Sequence, residues 1–339
     1  MKKPLYIILF QILVLNFSVI KAQNIQIIPQ PNSIIQGSNS FTINENTKII
    51  SSDKTVKLAE DLRDYFKSEF KLSLKNKATN KPLKNYIKFQ TDNSLANEAY
   101  ELTIEKNTIT ICAKNSAGWF YGSQTLMQLL SYNAHYSKYE KEIDIKEIKI
   151  IDKPRFKWRA FMLDEARYFK GKEQVKLLLN EMAYLKMNIF HWHLVDDQGW
   201  RIEIKKYPKL TEIGSKRKST QIGPLQWESP IQSAESHEGF YTQDEIKEIV
   251  AYAKERNITI VPEIEMPGHS TAAIASYSWL GTSKKEIEVP IKFGVGKDVY
   301  DVTNPRVTQF LKDVLDEVMA LFPSKVIHIG GDEVKYNHW

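Results

Sequence analysis

Two rhythms of apolar and polar residues run along this chain, and one gives way to the other near Pro154. Upstream, "YELTIEKNTITICAK" puts Tyr100, Leu102 and Ile104 on alternate positions, turns at Lys106-Asn107 and resumes at Ile109 and Ile111, which predicts a β-hairpin. "TVKLAEDLRDYFKSEF" instead spaces Ala59, Leu62, Tyr65, Phe66 and Phe70 along one helix face, and "AGWFYGSQTLMQLL" predicts a second helix. Residues 23–152 therefore read as a small α+β domain, and they carry no cluster of catalytic residue types.

From 153 to 339 the order becomes strand, helix, strand, repeated. "WRAFMLD" predicts a strand, "EQVKLLLNEMAYLKM" a helix with Val175, Leu178, Leu179 and Met182 on one face, and "NIFHWHL" the next strand. Thr242 and Glu245 form a capping box ahead of a stripe of Ile246, Ile249, Val250 and Ala253, and "ITIVPEI" follows as a strand. Asn304-Pro305 opens a third helix, Val307 to Leu321, before "KVIHIGG". Four β units separated by amphipathic helices predict a parallel sheet with helices outside it.

The strands recur after about 70 and about 67 residues, against roughly 30 per unit in a plain eightfold barrel. The excess falls after the strands, in 195–241 and 266–303, where a (β/α)₈ barrel of the TIM type builds its active site. A doubly wound sheet is the alternative, but no Gly-rich phosphate loop follows the first strand. Four strands amount to half a barrel, so the chain reads as its N-terminal half.

Composition is that of an ordinary globular protein, 42% apolar and 26% charged. The net charge of +6 drops to about +3 once Lys2, Lys3 and Lys21 are set aside, too little to point to nucleic acid or an anionic membrane. Residues 1–22 read as a cleaved export signal: Lys2-Lys3, an apolar run from Leu5 to Ile20, and a cut after Ala22. The mature protein is thus expected in the periplasm or outside the cell, with no membrane insertion after cleavage. The only cysteine, Cys112, cannot form an intrachain disulfide and is expected to be a buried core thiol.

Polar clusters close each predicted strand: Arg159 and Asp164 on the first, "HWHLVDDQGW" on the second, "PEIEMPGH" on the third, "HIGGDEV" on the fourth. Asp332 and Glu333 suit a solvated Gly-Gly-Asp turn equally well as a glycosidase pair, in which one carboxyl stays protonated as the acid beside an ionised neighbour. Neighbours on a regular strand face opposite ways, so both reach one pocket only if Gly330-Gly331 breaks the pleat. His191 and His193 share a strand face, a spacing used for metal ligands, yet no further ligand follows at a clear spacing; ordinary packing histidines are the plainer reading. His269 could orient a carboxylate or cap the stretch after it. Arg159, expected to be buried among Phe156, Trp158 and Phe161, requires either a hydroxyl-rich ligand or an ion pair with Asp164.

In this order, and behind a domain opening with "IIPQP", the stretches "RFKWRAFMLDEARYF", "MNIFHWHLVDDQGWRIEI", "VPEIEMPGHS" and "HIGGDEV" resemble the β-N-acetylhexosaminidases of glycoside hydrolase family 20. The resemblance implies an exo-acting hydrolase that removes terminal β-linked N-acetylhexosamine, GlcNAc or GalNAc, from oligosaccharides or glycoconjugates. It implies a substrate-assisted retaining mechanism in which the 2-acetamido oxygen attacks the anomeric carbon. Asp332 would hold the acetamido nitrogen, Glu333 would act as acid and then base, His269 oriented by Asp196 would support Glu333, and Arg159 would bind sugar hydroxyls. No cofactor and no metal is implied.

Ala160, Tyr168 and Glu265 depart from the family's usual glycine, histidine and aspartate. The aromatic walls of the acetamide pocket come in this family from later strands, and Trp339 is expected to act as one wall. Two alternatives stay open: a metal-dependent barrel hydrolase built on His191 and His193, and a non-catalytic glycan-binding or inactive fragment. As an isolated half barrel the chain is expected to have no turnover and to expose strand edges.

Overall fold

The computed structural model describes residues 25–77, 84–137, 142–223 and 229–336. The expected export segment 1–22 and Trp339 lie outside the described residues.

The first domain contains the strands β1 (Ser33–Ile43), β2 (Lys48–Ile50), β3 (Lys75–Lys77), β4 (Tyr86–Thr91), β5 (Tyr100–Glu105), β6 (Thr108–Ala113) and β7 (Ile143–Asp152), with helices α1 (Val56–Phe70) and α2 (Ser116–Ser137). One mixed sheet runs in the order β1-β7-β5-β6-β4-β2-β3, and α1 and α2 touch each other and lie against it. The predicted hairpin is β5 and β6, with Glu105 opposite Thr108. Alternation sends Leu102, Ile104, Ile109 and Ile111 into the core, where each contributes about 1.5–3 kcal/mol through its buried apolar surface.

The same alternation overturns the expectation for Cys112. Ile111 and Ala113 are buried, so Cys112 stands on the opposite face, half-buried beside Gln90 and Glu101 of the flanking strands.

The second domain is α/β. Its elements are β8 (Ala160–Asp164), α3 (Lys172–Tyr184), β9 (Ile189–His193), β10 (Val195–Asp196), β11 (Gly199–Trp200), α4 (Lys209–Glu212), β12 (Lys216–Arg217), β13 (His237–Glu238), α5 (Gln243–Glu255), β14 (Thr259–Glu263), α6 (Thr271–Ser276) and α7 (Pro305–Leu321). β14, β9 and β8 form a parallel sheet in that order. β9 is buried along nearly its whole length, as a central parallel strand must be. The Thr242–Glu245 capping box is formed in full at the start of α5, and Asn304 accepts a hydrogen bond from Arg306 N to cap α7.

The fourth expected strand is reduced to a single parallel bridge, Glu263 with His328, supported by Ile264 N donating to His328 O and His328 N to Pro262 O. Among the described residues nothing pairs with its other edge, and positive φ at Gly330 (65°) and Gly331 (106°) turns the backbone out of the pleat. Among the described residues no helix is long and apolar enough to cross a membrane.

Arg159 lies just before β8, at the amino end of the parallel sheet, and bridges the two domains. Its guanidinium pairs with Glu98 at 3.0 Å, reaches Tyr121 Oη at 3.1 Å and donates to the carbonyls of Lys186 and Phe156. Nearby, Gln128 of α2 donates to Tyr184 O, and Lys186 Nζ lies 3.2 Å from Tyr100 Oη.

Candidate active site

β9 and β14 end side by side, and their last residues bring an imidazole and a carboxylate into contact. His193 Nδ1 lies 2.5 Å from Glu263 Oε2, and His191, two positions back on the same face, places Nε2 2.7 Å from that oxygen. His328 on the bridge adjoining β14 approaches Glu263 Oε1 at 2.7 Å. Three imidazoles thus surround one buried carboxylate. Burial would raise the Glu263 carboxyl, but hydrogen bonds from His191 and His193 outweigh it and hold it well below the usual range.

After β9 the chain turns through Asp196 and Asp197. Asp196 Oδ2 accepts from His193 Nε2 at 2.9 Å and from Arg167 Nη2 at 2.6 Å, while Oδ1 accepts from His269 Nδ1 at 3.0 Å and from Asp197 N. Burial opposes ionisation of Asp196, yet these donors prevail and bring its carboxyl down to about 2. Asp197 accepts from Thr271 N and Gly296 N, tying the start of α6 and the 290s loop to the same turn.

His269 sits with φ 48° in the loop after β14, its side chain buried. Hydrogen bonds to Asp196 and Asp197 raise its imidazole to about 11, against the opposing effect of burial. Its Nε2 has no hydrogen-bond partner and faces Glu333 Oε2 at 3.5 Å and Asp332 Oδ2 at 3.7 Å. The two consecutive acids therefore approach one imidazole from the same side. The geometric requirement is met by Gly330 and Gly331, followed by Glu333 itself at φ 51°. A Cβ on Gly330 would overlap the Glu265 carboxylate, so only glycine fits there. Glu265 is buried against Glu263 and near Asp332, and that burial and crowding push its carboxyl up.

Asp332, Glu333, His269 and Asp196 are thus brought together as the motifs implied. Asp332 and Glu333 keep 64% and 56% of their side chains exposed, and Glu333 lines a hollow of about 610 Å³ together with Pro267, Gly331 and Val334. A second hollow of about 390 Å³, between Gln198, Thr271 and Phe293, lies on the Asp197 side.

Arg159 is not among them. Its expected burial among Phe156, Trp158 and Phe161 fails too, since these are 64%, 54% and 44% exposed, and Asp164 pairs elsewhere. The guanidinium at the site is Arg167, bonded to Asp164 and Asp196 with Phe293 over it. The signal that distinguishes them is position: Arg159 precedes β8, whereas Arg167 follows it, at the carboxyl end where parallel sheets bind ligands. Sequence reasoning also passed over Glu263, whose preceding Pro262 and following Ile264 make it look like a strand interior.

Among the described residues four groups could hold a cation, His191 with Glu263 and His328, His193 with Asp196 and Glu265, Asp196 with Asp197 and His269, and His269 with Asp332 and Glu333, the ligand atoms of each lying within 4.8 Å of one another. The pair His191 and His193, however, is turned onto a single Glu263 oxygen rather than toward a shared open position.

Residues 156–339 match the catalytic domain of glycosyl hydrolase family 20, and residues 24–153 match domain 2 of that family. The chain is 40% identical over 321 residues to a β-hexosaminidase of Porphyromonas gingivalis, covering 94% of this chain and 40% of that protein. It is 42% identical over 254 residues to a β-hexosaminidase of Vibrio furnissii, covering 75% of this chain and 40% of the relative. The chain thus spans well under half the length of these two relatives. Among solved structures, the family 20 exo-β-N-acetylglucosaminidase of Vibrio harveyi, in complex with N-acetylglucosamine, superposes with a TM-score of 0.78 at 36% identity, over 92% of this chain and 47% of that one. The β-N-acetylhexosaminidase of Streptomyces coelicolor gives 0.80 at 32% identity, over 90% and 59%. With its catalytic-domain model spanning more than half of the residues, the chain belongs to glycosyl hydrolase family 20.

Proposed function

We propose that this protein is an exported exo-β-N-acetylhexosaminidase whose three parallel strands and the bridged segment at His328 correspond to the first four strands of a (β/α)₈ barrel, and that it acts in the periplasm or outside the cell. The observation that carries the reading is the approach of Asp332 and Glu333 to one buried imidazole, His269, itself held by Asp196. Two carboxylates this close suit a retaining reaction in which the substrate supplies the nucleophile. The acetamido oxygen attacks the anomeric carbon as Glu333 protonates the departing oxygen. Asp332 accepts the acetamido N–H and stabilises the positive charge that spreads onto it. Glu333 then removes a proton from the water that opens the oxazolinium ring and restores the acetamide.

His269 lies behind both acids, and Asp196 fixes its ring. Arg167 is the cationic side chain at this rim for sugar hydroxyls, with 26% of its side chain exposed. The natural ligands are glycans ending in N-acetylhexosamine, and the residues assigned here need no metal for any of these steps. The test is hydrolysis of a chromogenic N-acetylhexosaminide by the protein from its complete reading frame and by Glu333→Gln. The variant should lose at least ~10²-fold on poor leaving groups; equal rates would remove Glu333 from the acid role.

A further inference from the structure

Between the Asp197 turn and the 290s loop stands a buried side chain to which the reaction steps above give no part. Gln198 is only 4% exposed, and its carboxamide is fully engaged. Its Oε1 accepts from Arg167 Nε at 3.1 Å, and its Nε2 donates to the carbonyls of Lys292 at 3.2 Å and Gly294 at 3.1 Å. The backbone beneath it is fixed as well. Its carbonyl accepts from Arg217 Nη1 at 3.0 Å, and Gly199 packs so closely on Arg201 and Ala166 that a Cβ there would overlap both.

We propose that Gln198 is a positioning residue for sugar binding: anchored on the 290s loop, its carboxamide oxygen sets the plane of the Arg167 guanidinium that meets the sugar hydroxyls. This deepens the hexosaminidase reading and rests on it.

Among side chains of this length only glutamine fits. The amide oxygen faces a donor and the amide nitrogen faces two acceptors, so a single orientation of the amide satisfies every contact. Glutamate would bring a carboxylate against two carbonyl oxygens, lysine would bring a cation against a guanidinium, and methionine would leave the buried partners unsatisfied. Asp164 and Asp196 hold Arg167 by Nη1 and Nη2, and Gln198 adds the contact at Nε. The two acids alone leave the guanidinium able to tilt about the line through its terminal nitrogens; the bond at Nε removes that freedom. The loop that carries the two carbonyls also brings the centre of the Phe293 ring to 6.0 Å from the guanidinium carbon, so one loop supports the arginine both directly and through Gln198.

The test measures kcat and KM on a nitrophenyl N-acetylhexosaminide for wild type, Gln198→Met, Arg167→Lys and the double variant, each made from the complete reading frame. Lysine at 167 keeps a positive charge beside the acids but has no Nε–H for Gln198. Gln198→Met should raise KM by about 10-fold with kcat within about 3-fold of wild type, because Asp196 still holds His269 behind Glu333. In the Arg167→Lys background the same change should raise KM by less than about 2-fold. An unchanged KM, a loss in kcat as large as the rise in KM, or the same effect in both backgrounds would overturn the proposal; the last is what a merely structural glutamine would give. Should Gln198→Met not fold, a crystal structure of the complete wild type with N-acetylglucosamine decides: Arg167 should reach a sugar hydroxyl with Gln198 Oε1 still on its Nε, and an arginine turned from the sugar or released from Gln198 would overturn the assignment. A wild type inactive on every N-acetylhexosaminide would instead remove the functional reading on which the proposal rests.

Discussion

His269 presents its unpartnered Nε2 to Glu333 across 3.5 Å while its Nδ1 is bonded to Asp196. The ring therefore stands between the buried aspartate and the exposed glutamate and couples the two electrostatically. His269→Asn tests this without disturbing the backbone, because asparagine tolerates the φ of 48° found there. Steady-state assays should show kcat reduced by about 10²-fold on glycan leaving groups, with a smaller loss on nitrophenyl substrates.

The two arginines should separate cleanly. Arg159→Ala removes the 3.0 Å pair with Glu98 and should lower stability by about 2 kcal/mol in urea unfolding while leaving kcat and KM unchanged. Arg167→Ala removes the guanidinium at the rim and should raise KM by roughly 10-fold or more. A KM effect from Arg159 would reverse the assignment.

Acid should weaken the fold through Asp196. Its folded carboxyl lies at about 2 against an ordinary 3.8, so the folded state binds that proton less tightly than the unfolded chain does. The stability it contributes, about 2 kcal/mol, is complete above pH ~4 and is lost as pH falls toward ~2. Urea midpoints measured at pH 5 and pH 3 should differ less in Asp196→Asn than in wild type, since the variant has no such proton to gain.

Gly330 and Gly331 should differ in sensitivity although both have positive φ. Alanine at 330 meets the Glu265 carboxylate as well as the left-handed backbone, whereas alanine at 331 finds nothing within 4 Å. Both carry the backbone cost of about 1–2 kcal/mol, but only Gly330→Ala should displace the acids and reduce kcat, by about 10²-fold. Thermal melting alongside initial rates distinguishes the two.

Much of this was readable from periodicity. The hairpin at 100–113, the capping box at Thr242 and the cap at Asn304 all formed where local chemistry demanded them. The cluster of Asp196, His269, Asp332 and Glu333 was implied by the family resemblance of the four motifs, each of which closes a predicted strand. One failure depended on a partner far along the chain. Arg159 found Glu98, 61 residues away, and no local pattern announces that pairing. Cys112 was placed in the core from its apolar neighbours, although the alternation of Ile109 and Ile111 already put it on the other face. Arg167 was overlooked because a charged residue in a turn is ordinary until the fold shows what the turn encloses.

The contacts of Arg159, Gln128 and Lys186 all gather at the starting ends of the parallel strands, whereas the acids stand at their finishing ends. A five-residue strand separates the two by about 16 Å. The small domain is thereby a foundation rather than a wall: it bears on the underside of the sheet, out of reach of any sugar bound above. Alterations to that footing and alterations to the acids should accordingly combine without influencing one another, the first felt in melting and the second in turnover.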